Sequence, residues 1–413
     1  MSDLKVLYHN DLVGRAIAEE NDQFSFIYDQ HWIGRPDAFP ISANLPPTRQ
    51  RWPAQRAHPF FANLLPEGLA RETVCQRLGI SSDNDVALLN ALGDDTAGAF
   101  RFVPTADQFR RTDRERQPIS DAELEQWAEG APALPSDPER RPRLSLAGAQ
   151  QKVSVVQHDG GYAIAASGEP STHILKFDSP RFPHLTANEF LTTRLGARLG
   201  LDVVESTLDD RTSPPILVVE RYDRRPTDGE TSRRLHQEDF CQLLGLLPTR
   251  KYEADGGPTL SGIADKIRAL SSTPAADVLK LIRWTAFCAL AGNADGHAKN
   301  LSILYEHRGP VLAPGYDLVC TRAFPNLNRQ LAFSVGGRRN SDQLLREQWE
   351  QFAVDIGVRP RLVLNEVERL TQQAESALQE ARADLEREIG TTQAEQQVAR
   401  TIRKRIRAVR THL

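Results

Sequence analysis

Three polar residues close together in the sequence carry its clearest chemistry. The segment Gly292-Asn-Ala-Asp-Gly-His-Ala-Lys-Asn300 places Asp295 five residues ahead of Asn300, and Pro314-Gly-Tyr-Asp317 follows. This order suits phosphoryl transfer. A carboxylate at 295 can orient an attacking hydroxyl and accept its proton. Asn300 and a second carboxylate, Asp317, can hold a divalent ion that bridges nucleotide phosphates. Two oxygen ligands plus phosphates suit Mg²⁺, which keeps waters and avoids all-protein cages.

Upstream residues supply the remaining parts. Lys176 lies in the strand-like run Thr172–Phe177, the third strand of a small sheet, where a kinase keeps its phosphate-pairing Lys. Glu189, on the helix that follows, is the candidate partner of that Lys. The run Leu217-Val-Val-Glu-Arg-Tyr222 ends a strand at the position of an adenine-binding hinge, where Glu220 and Tyr222 can offer backbone groups. Each feature alone has a bland reading. Asp-x₄-Asn arises by chance, a strand Lys often snorkels, and Asp after Pro-Gly is a common turn residue. Their order along one chain, with suitable elements between them, is what makes the joint reading strong.

The elements that must position these residues are legible in outline. Residues 1–103 mix short strands (5–8, 23–28) with helical stretches near 60–78 and 85–92, a small α+β unit. Residues 104–143 are rich in charge and Pro around one short helix at 119–129, and read as a linker or insertion. From 144 to 224 the pattern predicts a hairpin (152–156 and 162–166 across His158-Asp-Gly-Gly161), the Lys176 strand, a helix over 186–199, then strands at 203–208 and 216–220. Residues 225–413 are mostly helical. The stretch 278–291 is apolar on nearly every face and predicts a buried helix. Val363, Val367, Leu370, Ala374, Leu378, Ala381 and Leu385 recur at helical spacing before Gly390. A last helix begins at the capping-box pattern Thr392-x-x-Glu395.

Composition narrows the class. The 413 residues carry 51 basic and 55 acidic side chains, a net charge of −4 that excludes a nucleic-acid-coating protein. Only eight of the basic residues are Lys, so those kept invite a search for chemistry that Arg cannot replace. Neither a signal peptide nor an apolar run of bilayer-spanning length is evident. The four cysteines are scattered with no C-x-x-C pair, which fits core packing and a reducing cytoplasm.

Several segments together resemble the HipA family, the serine/threonine kinase toxins of bacterial type II toxin–antitoxin modules. They are Leu144-Ser-Leu-Ala-Gly-Ala-Gln-Gln-Lys152, Thr172–Phe177, Val219-Glu-Arg-Tyr-Asp223, Gly292–Asn300 and Tyr316-Asp317. Asn63-Leu-Leu-Pro-Glu-Gly68, Gly93-Asp-Asp-Thr-Ala-Gly98, Gln237-Glu-Asp-Phe240, Lys251-Tyr-Glu253 and Asp255-Gly-Gly-Pro258 add to it. The resemblance implies a two-lobed, protein-kinase-like α+β fold: a mixed α/β N-terminal lobe with an extra N-terminal subdomain, and a mostly helical C-terminal lobe. It implies Asp295 as catalytic base, Asn300 and Asp317 as Mg²⁺ ligands, and Lys176 on the ATP phosphates. It makes Ala147, Gly148, Ala149, Gln150, Gln151 and Lys152 the phosphate-covering loop, and Glu220, Arg221 and Tyr222 the hinge. His297, Ala298, Lys299 and Tyr316 then line the nucleotide site, and Ser145 is the self-phosphorylated serine. The implied partners are a small helix-turn-helix antitoxin (HipB-like), operator DNA through that complex, and an aminoacyl-tRNA synthetase as substrate, glutamyl-tRNA synthetase being the best known.

Two other readings compete: a small-molecule or lipid kinase, and a catalytically silent corepressor. The final helix also has two readings. Arg400, Arg403, Lys404, Arg405, Arg407 and Arg410 flank an apolar stripe of Val398, Ile402, Ile406 and Val409. They make either a docked helix with a solvated basic face or a contact to DNA phosphates.

Overall fold

The computed structural model describes residues 3–104, 115–133, 150–179, 181–227, 232–390 and 393–413, the last stretch with side chains from 395. Its chain divides into two compact units, Met1–Phe177 with Val218–Pro248, and Asp178–Leu217 with Thr249–Leu413.

Among the described residues, the first unit contains two larger sheets and the short pair Arg224–Arg225 with Arg233–Arg234. An antiparallel four-stranded sheet runs in the order Phe24–Tyr28, Asp11–Ala18, Leu4–Tyr8, Phe100–Pro104. Its apolar face is covered by the helices Ala54–Ala62, Gly68–Leu78 and Asp85–Leu92, around a core rich in aromatic rings. Phe61 sits 5.1 Å from Phe24 and 5.8 Å from Phe102, centroid to centroid. Such rings contribute area and oriented contacts together. The helical stretch expected near 60–78 is broken in two at Pro66, whose ring disfavours helical backbone in the residue before it.

In the second sheet, Gln117–Pro118, Gly161–Ile164, Lys152–His158, His173–Lys176 and Ile216–Glu220 are neighbours in that order. The hairpin expected at His158-Asp-Gly-Gly161 is present, with Asp159 in the left-handed region at φ 47°. The helix Asp121–Ala128 is closed by a reciprocal Ser120–Glu123 capping box.

Helices dominate the second unit. Pro274–Ala291 has Pro at its first turn, where the missing N–H costs nothing. Every residue from Trp284 to Ala291 is buried. Pro360–Ile389 and Gln393–His412 pack against it. Val398, Ile402, Ile406 and Val409 are all buried, so the final helix is docked by the stripe seen in the sequence. The capping residue Thr392 lies outside the described residues. The strand expected at 203–208 is Ser206–Asp209, and Val203 instead forms a parallel bridge with Gly315. Among the described residues, no helix is long and apolar enough to cross a membrane. The four cysteines are free and buried, and burial pushes the Cys320 thiol up to about 12.

Candidate active site

In the second unit, the loop that carries Asp295 is built from the end of the buried helix. Gly292 closes that helix in the left-handed region (φ 72°, ψ 35°), a conformation that costs a side-chain-bearing residue about 1 kcal/mol. Asn293 N–H then donates to Cys288 O at 2.9 Å. Thr321 clamps the turn from outside: its hydroxyl accepts from Ala294 N–H at 2.8 Å and donates to Gly292 O at 3.1 Å. Asp295 N–H donates to Asn293 Oδ1 at 3.0 Å. Among the described residues from Ala291 to Asn300, only Asp295 is exposed. A buried, internally bonded loop thus presents one carboxylate to the outside.

Asn300 is held from both sides. Its Oδ1 accepts from His297 N–H at 3.0 Å, and its Nδ2 donates to Asp317 Oδ2 at 3.3 Å. Asp317 sits in the left-handed region at φ 53°. The turn before it is anchored where Gly315 N–H donates to Asp202 O at 2.8 Å and Gly315 O accepts from Val204 N–H at 3.0 Å. Asp317 thus offers hard carboxylate oxygens of the kind a divalent ion completed by phosphates and water takes, while the Asn300 amide turns its nitrogen to Asp317 and its Oδ1, which keeps a second lone pair, to His297 N–H. Among the described residues, no cluster of three or more His, Cys, Asp or Glu side chains could cage a metal, so such an ion needs other ligands.

The other expected residues of this loop have local duties. Tyr316 donates its hydroxyl to Lys299 O at 2.6 Å and shares a hydrogen bond with Ser302 Oγ at 2.7 Å, tying the loop to the strand Ser302–Glu306. Ala298 N–H donates to Lys251 O at 3.1 Å. His297 and Lys299 are buried. Sequence reasoning missed Tyr252. Its hydroxyl donates to Asp295 Oδ1, and its ring stands edge-on to His297 at 5.2 Å. The only sequence signal was the run Lys251-Tyr-Glu253 itself.

The first unit holds the phosphate and hinge candidates. Lys152 and Lys176 are directly opposed in the antiparallel register, and both are buried, at 9% and 4% exposure. Opposed residues share a face with Cβ atoms about 5 Å apart. Two ammonium groups there concentrate positive charge where a polyphosphate can use it. Gln150 Nε2 donates to Phe177 O at 3.1 Å, and Gln151 Nε2 to Ala131 O at 2.8 Å, so both side chains tie down backbone. Ser145, Ala147, Gly148 and Ala149 lie outside the described residues. Glu189 is buried on the helix Leu185–Arg198 of the second unit.

At the hinge, Glu220 is exposed and Tyr222 half-buried, its hydroxyl donating to Gln237 Oε1. Arg221 is different. Its N–H donates to Thr172 O at 3.0 Å, and its guanidinium is buried on Asp223 (2.9 Å), Ser171 Oγ (2.9 Å) and Thr96 O (3.0 Å). Arg224 and Arg234 reach Asp95 at 3.2 and 2.8 Å, and Gly98 N–H donates to Asp223 Oδ2 at 2.8 Å. Burial alone would push the Asp223 carboxyl up, but Arg221 and Arg224 hold it well below the usual carboxylate range. The loop Gly93–Gly98 and the end of the hinge strand are therefore joined by one buried ionic cluster.

The chain matches family models along most of its length. Residues 4–103 match the HipA N-terminal domain, and 144–378 the HipA-like C-terminal domain. It is 39% identical over 384 residues to "Putative kinase Y4mE" of Sinorhizobium fredii, covering 91% of this chain and 90% of that one. It is 31% identical over 372 residues to the serine/threonine-protein kinase toxin HipA of Shewanella oneidensis, covering 87% and 84%. The solved complex of Shewanella oneidensis HipA with HipB and operator DNA superposes with a TM-score of 0.84 at 28% identity, over 99% of this chain and 97% of that one. Fold and relatives together define an ATP-using protein kinase with an α+β, kinase-like architecture. Within that class, the chain belongs to the HipA family.

Proposed function

We propose that this kinase is the toxin of a toxin–antitoxin pair, transferring the ATP γ-phosphoryl group to a serine or threonine of an aminoacyl-tRNA synthetase and to its own Ser145. The observation that carries the reading is the loop in which Asp295 alone faces outward while Asn300 is hydrogen-bonded to Asp317. In this reading Asp295 accepts the proton of the acceptor hydroxyl as its oxygen attacks phosphorus and ADP departs. Asn300 and Asp317 would hold Mg²⁺, which supplies charge neutralisation at the phosphates. Lys152 and Lys176 contact phosphate oxygens. His297, Ala298, Lys299 and Tyr316 shape the nucleotide site. Glu220, Arg221 and Tyr222 form the hinge, Arg221 by fixing its backbone rather than by offering its N–H. Ala147, Gly148, Ala149, Gln150 and Gln151 cover the phosphates. A phosphate on Ser145 would repel ATP from that loop through like charge.

The same reading divides the chain into an N-terminal subdomain (1–103), a linker (104–143), an N-terminal lobe (144–224) and a C-terminal lobe (225–413). The likeness to a HipA–HipB–operator complex supports a HipB-like antitoxin as partner and co-repression through operator DNA.

The test is phosphotransfer from Mg-ATP in a lysate, followed by phosphosite mapping. Phosphate should appear on Ser145 and on one synthetase, and Asp295→Asn should lower the rate by about 10²–10⁴-fold. Phosphorylated small molecules or lipids without protein label would replace the toxin reading by a metabolite-kinase one. Equal growth arrest by wild type and Asp295→Asn would show that catalysis is not the activity.

A further inference from the structure

The residue closest in chemistry to Asp295 is one that no motif assigns. Tyr252 belongs to a tightly folded loop in the second unit. Gly257 N–H and Asp255 N–H both donate to Tyr252 O, at 2.9 and 3.0 Å. A Cβ at Gly257 would lie 2.3 Å from Arg250 O and 2.5 Å from Tyr252 O, so only glycine allows this closure. The loop is pinned on both flanks: Lys251 O accepts from Ala298 N–H at 3.1 Å, and Glu253 Oε2 accepts from Ser334 N–H at 2.6 Å. The ring is held between the Lys251 ammonium, 5.6 Å from its centroid, and the edge contact with His297. From this fixed base the phenol donates to Asp295 Oδ1.

Asp295 needs such a partner. Its backbone is fixed by Asn293, but an exposed carboxylate turns freely about its Cβ–Cγ bond. A general base works only within about 2.6–3.2 Å of the proton it takes, at a defined angle. We infer that Tyr252 is a positioning residue for phosphoryl transfer: its phenol holds Oδ1 of Asp295, so that Oδ2 is the oxygen presented to the acceptor hydroxyl. This rests on the reading of Asp295 as the base.

The experiment uses the full chain and measures self-phosphorylation and ATP affinity for wild type, Tyr252→Phe, Tyr252→His, Asp295→Asn and the double variant. Losing the orienting bond should lower kcat by about 10–100-fold, a share of the gain from orientation, while KM for ATP stays within about twofold. Tyr252→His restores a ring N–H donor and should recover part of the rate. Tyr252→Phe placed on Asp295→Asn should cause no further loss, because the group it acts through is already gone. A Tyr252→Phe rate within twofold of wild type, beside an inactive Asp295→Asn, overturns the role of Tyr252 and leaves the base in place. An additive loss in the double variant, or a rise in KM matching the fall in kcat, makes Tyr252 a structural residue and also overturns the proposal. A fully active Asp295→Asn overturns the reading of the base instead.

Discussion

Asp317 shows how much can rest on one backbone angle. At φ 53° it occupies a region that most side chains avoid and that Asn and Asp tolerate best. Its carboxylate is also the acceptor for Asn300. These two demands separate by mutation. Asp317→Asn keeps the conformation and removes the charge, so thermal melting should be unchanged while phosphotransfer falls by at least about 10²-fold and needs far more Mg²⁺. Asp317→Ala loses the charge and adds a left-handed penalty of about 1–2 kcal/mol, so its melting temperature should fall as well. A Mg²⁺ titration of activity beside a melting curve reads both effects. Asp317→Asn with wild-type metal dependence would remove Asp317 from the metal site.

At the scale of elements, the hinge strand Ile216–Glu220 is buried by its apolar side chains, and the segment that follows it is secured by charge. Asp95 and Asp223 are buried among Arg221, Arg224 and Arg234, all under 5% exposed. Removing one partner of a buried set strands the others, at a cost of about 3–5 kcal/mol. Asp95→Asn should therefore lower unfolding stability by that order in a denaturant titration. It should also raise KM for ATP more than it lowers kcat, since the hinge and not the base is disturbed. The depressed Asp223 carboxyl gives a pH signature. A carboxyl held lower in the folded chain than in the unfolded one contributes stability above the unfolded value of about 3.9, and loses it as pH falls below that. Melting temperature should drop steeply below about pH 4, and Asp223→Asn should flatten part of that slope. An unchanged slope in that variant would mean that other carboxylates control acid unfolding.

At the scale of the whole molecule, the C-terminal helix resolves into two kinds of basic residue. Arg405 is buried and donates to Asp342, to Ser341 O at 2.8 Å and to Ala289 O at 3.2 Å, so it fastens the helix beside the end of Pro274–Ala291. Arg403 pairs with Glu375 at 2.9 Å. Arg400, Lys404 and Arg407 are exposed along one side. Replacing those three by Gln should leave kinase activity and melting temperature unchanged. If they touch operator phosphates in the antitoxin complex, each should reduce the salt slope of operator binding by about one. An unchanged slope would leave them as a solvated face.

The sequence by itself determined local parts: the hairpin at His158-Asp-Gly-Gly161, the Lys176 strand and the helix after it, the buried helix, the Asp295–Asn300 loop and the family, but not the strands Asp11–Ala18 and Phe100–Pro104 of the first sheet. Each is written in neighbouring residues, through hydropathic period, turn chemistry or motif spacing. Tertiary structure alone decided what those parts touch. Tyr252 meets Asp295 across 43 positions, and Gly98 meets Asp223 across 125. The pairing of Lys152 with Lys176 depends on a strand register that composition does not specify. Nothing beside Arg221 in the sequence shows that its guanidinium joins a buried ionic cluster, and nothing beside Arg405 separates it from the other bases of the final helix. Burial and partnership of a charged side chain depend on what the rest of the chain brings to it, and no local pattern encodes that.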